Sequence, residues 1–295
     1  MSVAIEIKNV SHNFKDKVVC DNISIDFEEN KIYGVLGKNG AGKSTLINII
    51  TNQLICKSGE VKIFGTNPRE DVSILEDVCV VREKEFFDPT YKVKDIFKSY
   101  SYFYKEYDYE LQDKLCKLFE INKKLVYKKL SRGMKTLVSN IIGICSNAPI
   151  TIFDEPTIGL DAVNRQEFYN IILESYMNKN RTIIISTHLI NEVEDLLEKV
   201  VMIADGKIKV NDYIDEVKEK SYYISGKRED LNKLSILPEM ILVKAFGNNK
   251  MCAYYGDLND KDLSIIENSD IELDKMSLQD LFINMNKKEE ALYEK

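Results

Sequence analysis

The order of apolar and polar positions predicts strands at Ala4–Val10, Val18–Phe27 and Lys31–Leu36. The third breaks at Gly37 into a glycine-rich turn, and a helical pattern follows from about Lys43 to Gln53. Glu60–Phe64 reads as a short strand and Val78–Val81 as a buried one. From about Val93 to Asn147 the spacing becomes helical, through FKSYSYFYKEYDYELQDKLCKLFE and MKTLVSNIIGICSN. A buried strand is expected at Ile150–Phe153, a helix at Ala162–Met177, a strand at Thr182–Ser186 and a helix at Ile190–Lys199. Val200–Ala204 and Lys207–Val210 form an expected hairpin around Asp205–Gly206.

Strands alternating with helices imply an α/β domain with a largely parallel sheet covered by helices. The helical stretch from Val93 to Asn147 reads as a subdomain hung on that sheet. After about Glu219 the character shifts to short strands, SYYISG, MILVKAFG and KMCAYYG, with a turn at Asn248–Asn249. SLQDLFINM then reads as a terminal helix capped by Ser277. Two domains are therefore expected, 1–219 and a small α+β appendage over 220–295. No internal repeat or low-complexity tract is evident.

Composition narrows the function classes. With 44% hydrophobic and 30% charged residues in 295, the chain is an ordinary globular protein. No run of about 18 apolar residues occurs, so no membrane-spanning helix is expected. MSVAIEIKNVSHNF lacks a basic segment followed by an apolar block, so no signal peptide is expected. A net charge of −7 disfavours bulk electrostatic binding of nucleic acid. The 6 cysteines include no C-x-x-C pair and fit scattered thiols in a reducing compartment. With 2 histidines, His12 and His188, a zinc site is not expected.

Candidate chemistry starts at GKNGAGKST: Gly37, Lys38, Asn39, Gly40, Ala41, Gly42, Lys43, Ser44 and Thr45. This fits G-x-x-x-x-G-K-[ST], whose glycines let backbone N–H groups wrap phosphates. Lys43 would reach the β- and γ-phosphates and Ser44 would offer its hydroxyl to Mg²⁺. A strand precedes the loop and a helix follows, as that reading requires. In ITIFDEPT, Asp154 ends a buried strand, where a carboxylate can hold the Mg²⁺ shell; Glu155 is placed to polarise an attacking water. LSRGMK, Leu130–Lys135, puts a serine, a glycine and two cations ahead of an apolar helix, which should also bind an anion. One chain thus carries two phosphate-binding stretches.

Taken with IGLD, ending at Asp161, and STH, ending at His188, these motifs resemble the ATP-binding subunits of ABC transporters over roughly Val3–Asp215. The resemblance implies a phosphate-loop NTPase of the ABC type: a mostly parallel sheet, an antiparallel β subdomain and a helical insertion. It also implies why two phosphate-binding stretches are present. In that family two subunits face each other head to tail, and the signature of one caps the γ-phosphate held by the other. By that likeness Ser131 and the Gly133 backbone contact the partner's ATP, Asp161 lies at the subunit junction, and His188 contacts the γ-phosphate. Phe14, in SHNFKDK, matches the aromatic that stacks on adenine; an edge-strand packing role is its alternative.

Two positions depart from the family pattern. Arg132 and Met134 replace the second glycine and the glutamine of the usual LSGGQ, a form similar to the family's drug- and peptide-export branch. Glu83 aligns with the glutamine that contacts Mg²⁺ or water, with Arg82 and Glu85 as alternative neighbours in that charged loop. The implied cofactors are ATP and Mg²⁺. The implied partners are a second ATP-binding subunit, identical or not, and a separate transmembrane permease that places the chain on the inner face of the cell membrane. No nucleic acid is expected. Export of a drug-like, peptide or lipidic compound is the expected task, and a soluble ABC ATPase acting on ribosomes or DNA is the alternative.

Overall fold

The computed structural model describes residues 2–82 and 87–287. Glu83 and Glu85, two of the candidates for the Mg²⁺-contacting position, therefore lie outside the described residues. The chain divides into two compact units, 1–208 and 209–295. The division falls earlier than the boundary expected after Glu219.

In the first unit β1 (Val3–Phe14) pairs antiparallel with both β2 (Lys17–Glu28) and β4 (Ser58–Ile63), giving a three-stranded sheet in the order β2-β1-β4. Between them in sequence come β3 (Ile32–Leu36) and the helix α1 (Lys43–Ile50). β3 belongs to a six-stranded sheet with β5 (Val78–Arg82), β6 (Ile150–Asp154), β7 (Thr182–Thr187), β8 (Lys199–Ala204) and β9 (Lys207–Tyr213), in the order β5-β6-β7-β3-β8-β9. The pairings from β5 through β8 are all parallel. β3, β6 and β7 are buried at every residue, as strands covered on both faces must be.

The region between β5 and β6 holds α2 (Val93–Ser101), α3 (Tyr109–Leu118) and α4 (Arg132–Cys145). α4 is buried from Thr136 to its end, so its all-round apolar sequence matches its central place. α5 (Ala162–Asn178) follows β6.

The helix expected over Ile190–Lys199 is a correction. α6 spans only Ile190–Val193 and passes into a single 3₁₀ turn at Glu194–Leu196. The chain must already be extended at Lys199, which pairs in register with Tyr33 of β3 and sends its ammonium 2.7 Å from Glu28 Oε1. Tertiary pairing overrides the local helical pattern.

The second unit contains α7 (Ile214–Glu219), β10 (Ser221–Lys227), α8 (Arg228–Leu231), β11 (Ile241–Phe246), β12 (Asn249–Tyr255), α9 (Asp260–Glu267), β13 (Glu272–Lys275) and α10 (Leu278–Met285). Its strands form an antiparallel sheet in the order β11-β12-β10-β13. The turn expected at Asn248–Asn249 sits one residue earlier, because Asn249 already pairs with Phe246. Ser277 caps α10 by accepting from the Asp280 N–H. No helix of the described residues is long and apolar enough to cross a membrane.

Candidate active site

The site forms where β3 and β6 end. Buried strands terminate there with free backbone groups, and the loops that leave them are free to carry chemistry. Gly42 precedes α1 with φ 114°, and a side chain there would place its Cβ 2.5 Å from the Val19 carbonyl oxygen. Only glycine lets the loop close under α1, whose first N–H groups have no side-chain cap. The Lys43 ammonium turns back under the loop and donates to the Gly37 carbonyl at 2.5 Å.

The next acid comes from β6. Asp154 is in register with Arg82 of β5 and Ser186 of β7, and the Ser186 hydroxyl donates to Asp154 Oδ1. Glu155 follows with φ 53°, a left-handed conformation uncommon for a glutamate. Its N–H donates to the Ser186 carbonyl at 2.9 Å, which holds the turn. That twist brings the Glu155 carboxylate 3.3 Å from the Lys43 ammonium and 2.9 Å from His188 Nδ1. Two residues from two other segments converge on this one carboxylate.

A cavity of about 570 Å³ opens over Lys43, Asp154 and Glu155. Among the expected residues, Phe14, Lys38, Asn39, Gly40, Gly42, Lys43, Ser44, Thr45, Asp154 and Glu155 line it. Gly37 and Ala41 shape the loop without lining the cavity. Lys17, Val19, Arg132 and Ile158 also line it. Lys17 sits three residues past Phe14, across the β1–β2 turn, and carried no motif that would single it out. Phe14 is 51% exposed and stands edge-on to His12 at 4.8 Å between ring centroids. Half of the side chain is thus left open.

Ser131, Gly133, Asp161 and His188 lie outside that lining, His188 reaching the site through Glu155. Ser131 is the N-cap of α4 and accepts from the Met134 N–H at 3.2 Å. Gly133 lies against the loop after Glu155: a Cβ there would meet the Gly159 carbonyl oxygen at 2.5 Å. The same loop is tied to α4 by Asn140 Nδ2, which donates to the Pro156 carbonyl at 2.8 Å, and by the Thr136 hydroxyl, which donates to the Ile158 carbonyl at 2.9 Å. Asp161 is the N-cap of α5, and the Asn164 N–H beside it holds its carboxyl below the usual carboxylate range.

Comparison with known proteins agrees with this arrangement. A family model described as ABC transporter matches residues 20–158. The lantibiotic transport ATP-binding protein SrtF of Streptococcus pyogenes is 31% identical over 240 residues, covering 80% of this chain and 98% of that protein. The chain belongs to the ABC transporter ATP-binding protein family. The bacitracin transport ATP-binding protein BcrA of Bacillus licheniformis is 26% identical, covering 97% of this chain and 98% of that protein. The fold also matches a dimeric ATP-binding cassette solved in a post-hydrolysis state with ADP and Pi, at a TM-score of 0.62 and 19% identity over 71% of this chain and 98% of that one. The resemblance and the fold class read from the motifs are borne out, and the chain is an ATPase subunit of that family.

The cassette fits its nucleotide. Free N–H groups at the start of α1, the cations Lys17, Lys38 and Lys43, and an exposed aromatic face share one cavity, which suits a polyphosphate joined to a flat base. Among the described residues no group of three or more His, Cys, Asp or Glu could hold a metal unaided. Ser44 and Asp154 supply hard oxygen donors of the kind Mg²⁺ takes together with substrate phosphates.

Proposed function

We propose that this chain is the ATP-hydrolysing subunit of an exporter, working with a separate transmembrane permease at the inner face of the cell membrane. Two ATP-binding subunits face each other head to tail, so that Ser131 and the Gly133 N–H of one reach the nucleotide on the loop of the other. Asp161 lies at their junction. The carrying observation is the convergence of Lys43 and His188 on the Glu155 carboxylate.

The chemistry follows from those contacts. Lys43 and the loop N–H groups bind the phosphates, and Phe14 stacks on the base. Ser44 and Asp154, with Glu83 as a third candidate, would hold Mg²⁺, which would supply neutralisation of phosphate charge. Glu155 accepts a proton from the water whose oxygen attacks the γ-phosphorus. His188 holds that carboxylate in place and presents its ring to the γ-phosphate. The products are ADP and phosphate. Binding of ATP favours the closed dimer and hydrolysis releases it, so the permease feels a difference in the stability of two states.

The names of the lantibiotic and bacitracin relatives favour a peptide-like or amphiphilic cargo. The second compact unit is assigned an accessory role. The reading is tested by capture from native membranes, with tagged full-length Glu155→Gln protein in ATP and Mg²⁺. Recovery of a polytopic membrane protein is expected. Recovery of ribosomes or DNA complexes in its place would leave the ATPase standing and overturn the transport role.

A further inference from the structure

His188 is weakly anchored for a residue at a reaction centre. Its side chain is 38% exposed, and its polar contact is with the Glu155 carboxylate. The chain after it runs through Leu189 into α6, four residues long and without a side-chain cap. So short a helix has no stability of its own. The Leu189 N–H donates to Thr187 Oγ1 at 3.0 Å, and Ile190 and Val193 are fully buried. Those contacts hold the apolar side of the segment, and its polar side is held separately.

On that side Glu192 of α6 forms an ion pair with Arg165 of α5. Arg165 lies one turn into α5, and its N–H donates to the carbonyl of the cap residue Asp161 at 3.0 Å. Asp161 is joined to Glu155 by the loop that Asn140 and Thr136 fasten to α4. A closed circuit results: Glu155, the loop to Asp161, Arg165, Glu192, His188, and back to Glu155. The ion pair is its one charged link outside the site. Its side chains are 27% and 34% exposed, so water screens the pair only in part.

We infer that the Arg165–Glu192 pair is the positioning contact that holds His188 on the Glu155 carboxylate. Arg165 and Glu192 lie outside the lining of the nucleotide cavity; they act through His188. Losing the pair removes the tie on the polar side of α6, and displacement of a reacting group by about 1 Å lowers turnover by up to a hundredfold. Nucleotide binding, which depends on α1 and Phe14, is untouched.

The inference rests on the roles proposed for Glu155 and His188, and its test separates the two. Full-length Arg165→Ala, Glu192→Gln, Arg165→Lys and the charge-swapped Arg165→Glu/Glu192→Arg chain are compared with Glu155→Gln. Each single loss should lower kcat by about tenfold or more with the KM for ATP and the melting temperature little changed. Arg165→Lys should recover part of kcat, and the swap should recover more than either of its own single changes. Unchanged kcat in both single variants overturns the inference while leaving Glu155 in place. A kcat loss that tracks melting temperature and is not recovered by the swap also overturns it, by reducing the pair to a structural brace. Normal turnover in Glu155→Gln overturns the reading of the site itself.

Discussion

The Lys43 ammonium lies 3.3 Å from Glu155 Oε1, with only 6% and 13% of the two side chains exposed. A polyphosphate claims the same ammonium, so the carboxylate and the substrate compete for it. Glu155→Gln should therefore have two effects. Hydrolysis should fall by about a hundredfold or more with the loss of the general base. ATP should bind several-fold more tightly, because a charge that competes for Lys43 is gone. Calorimetric titration and phosphate release measure the two separately. Weaker binding would remove the competition, and undiminished phosphate release would remove the base.

Gly133 and Arg132 are neighbours in the signature, yet the structure asks different things of them. A Cβ at Gly133 would meet the Gly159 carbonyl oxygen at 2.5 Å, and backbone cannot swing aside as a side chain can. Gly133→Ala should destabilise the fold by about 1–3 kcal/mol through overpacking. It should also disturb the loop that leads from Glu155 to Asp161. Arg132 is exposed in the first turn of α4, and Arg132→Gly should lower stability by no more than about 1 kcal/mol. Chemical denaturation of the two variants checks the contrast. Equal losses would contradict it.

The sites that were legible in the sequence are those whose chemistry is local. The glycines and lysine of Gly37–Thr45 form one turn, and Asp154 and Glu155 end one apolar strand, so spacing alone announces them. The buried strands Ile150–Phe153 and Thr182–Ser186 were legible for the same reason, as short apolar runs between turns. The break of the Ile190–Lys199 helix was not legible, because it depends on Lys199 reaching Tyr33 and Glu28 from far away in sequence. Lys17 in the cavity and the Arg165–Glu192 pair were hidden likewise. Neither has a motif, and each acquires meaning only from what folding places opposite it. The twist of Glu155 into the left-handed region is equally silent in sequence, since it is imposed by the hydrogen bond to Ser186.

Acid should weaken the first unit through Glu198. Burial pushes its carboxyl up, but Lys31 at 2.6 Å, the Tyr176 hydroxyl at 2.5 Å and the Ile32 N–H at 3.3 Å outweigh it. The folded value therefore lies below the ordinary 4.5. A lowered carboxylate contributes stability that is complete above its unfolded value and is lost as pH falls through the folded one. Urea midpoints should drop below pH 4.5 in the parent chain, and Glu198→Gln should start lower at neutral pH and fall less steeply. Parallel pH profiles would show that the lowering carries no stability.

Phe14 tests whether an exposed aromatic earns its place through nucleotide or through packing. Half of it is exposed and its ring contact among the described residues is His12, so Phe14→Ala should scarcely alter folding. Base–aromatic stacking is worth about 1–3 kcal/mol, so the Kd for ATP should rise between about 5-fold and about 150-fold. Phe14→Tyr should bind as the parent does, since stacking needs only a ring face. A fall in melting temperature with unaltered ATP affinity would assign Phe14 to the strand edge instead.

The proposed head-to-tail arrangement makes a prediction that no single-chain site can satisfy. Ser131 caps α4 through its hydroxyl, and aspartate also caps well, so Ser131→Asp keeps the helix while setting a negative charge against phosphate. Lys43→Ala disables the loop. Where the chain pairs with itself, each variant alone places damage in both sites of its dimer. In a mixture of the two, a mixed dimer holds one site with Lys43 from one chain and Ser131 from the other, both intact, and one site doubly damaged. Random pairing of equal amounts leaves about a quarter of all sites whole, and phosphate release should recover toward that fraction. If Ser131 served the nucleotide bound by its own chain, no site in the mixture would be whole, and activity would stay at the level of the separate variants.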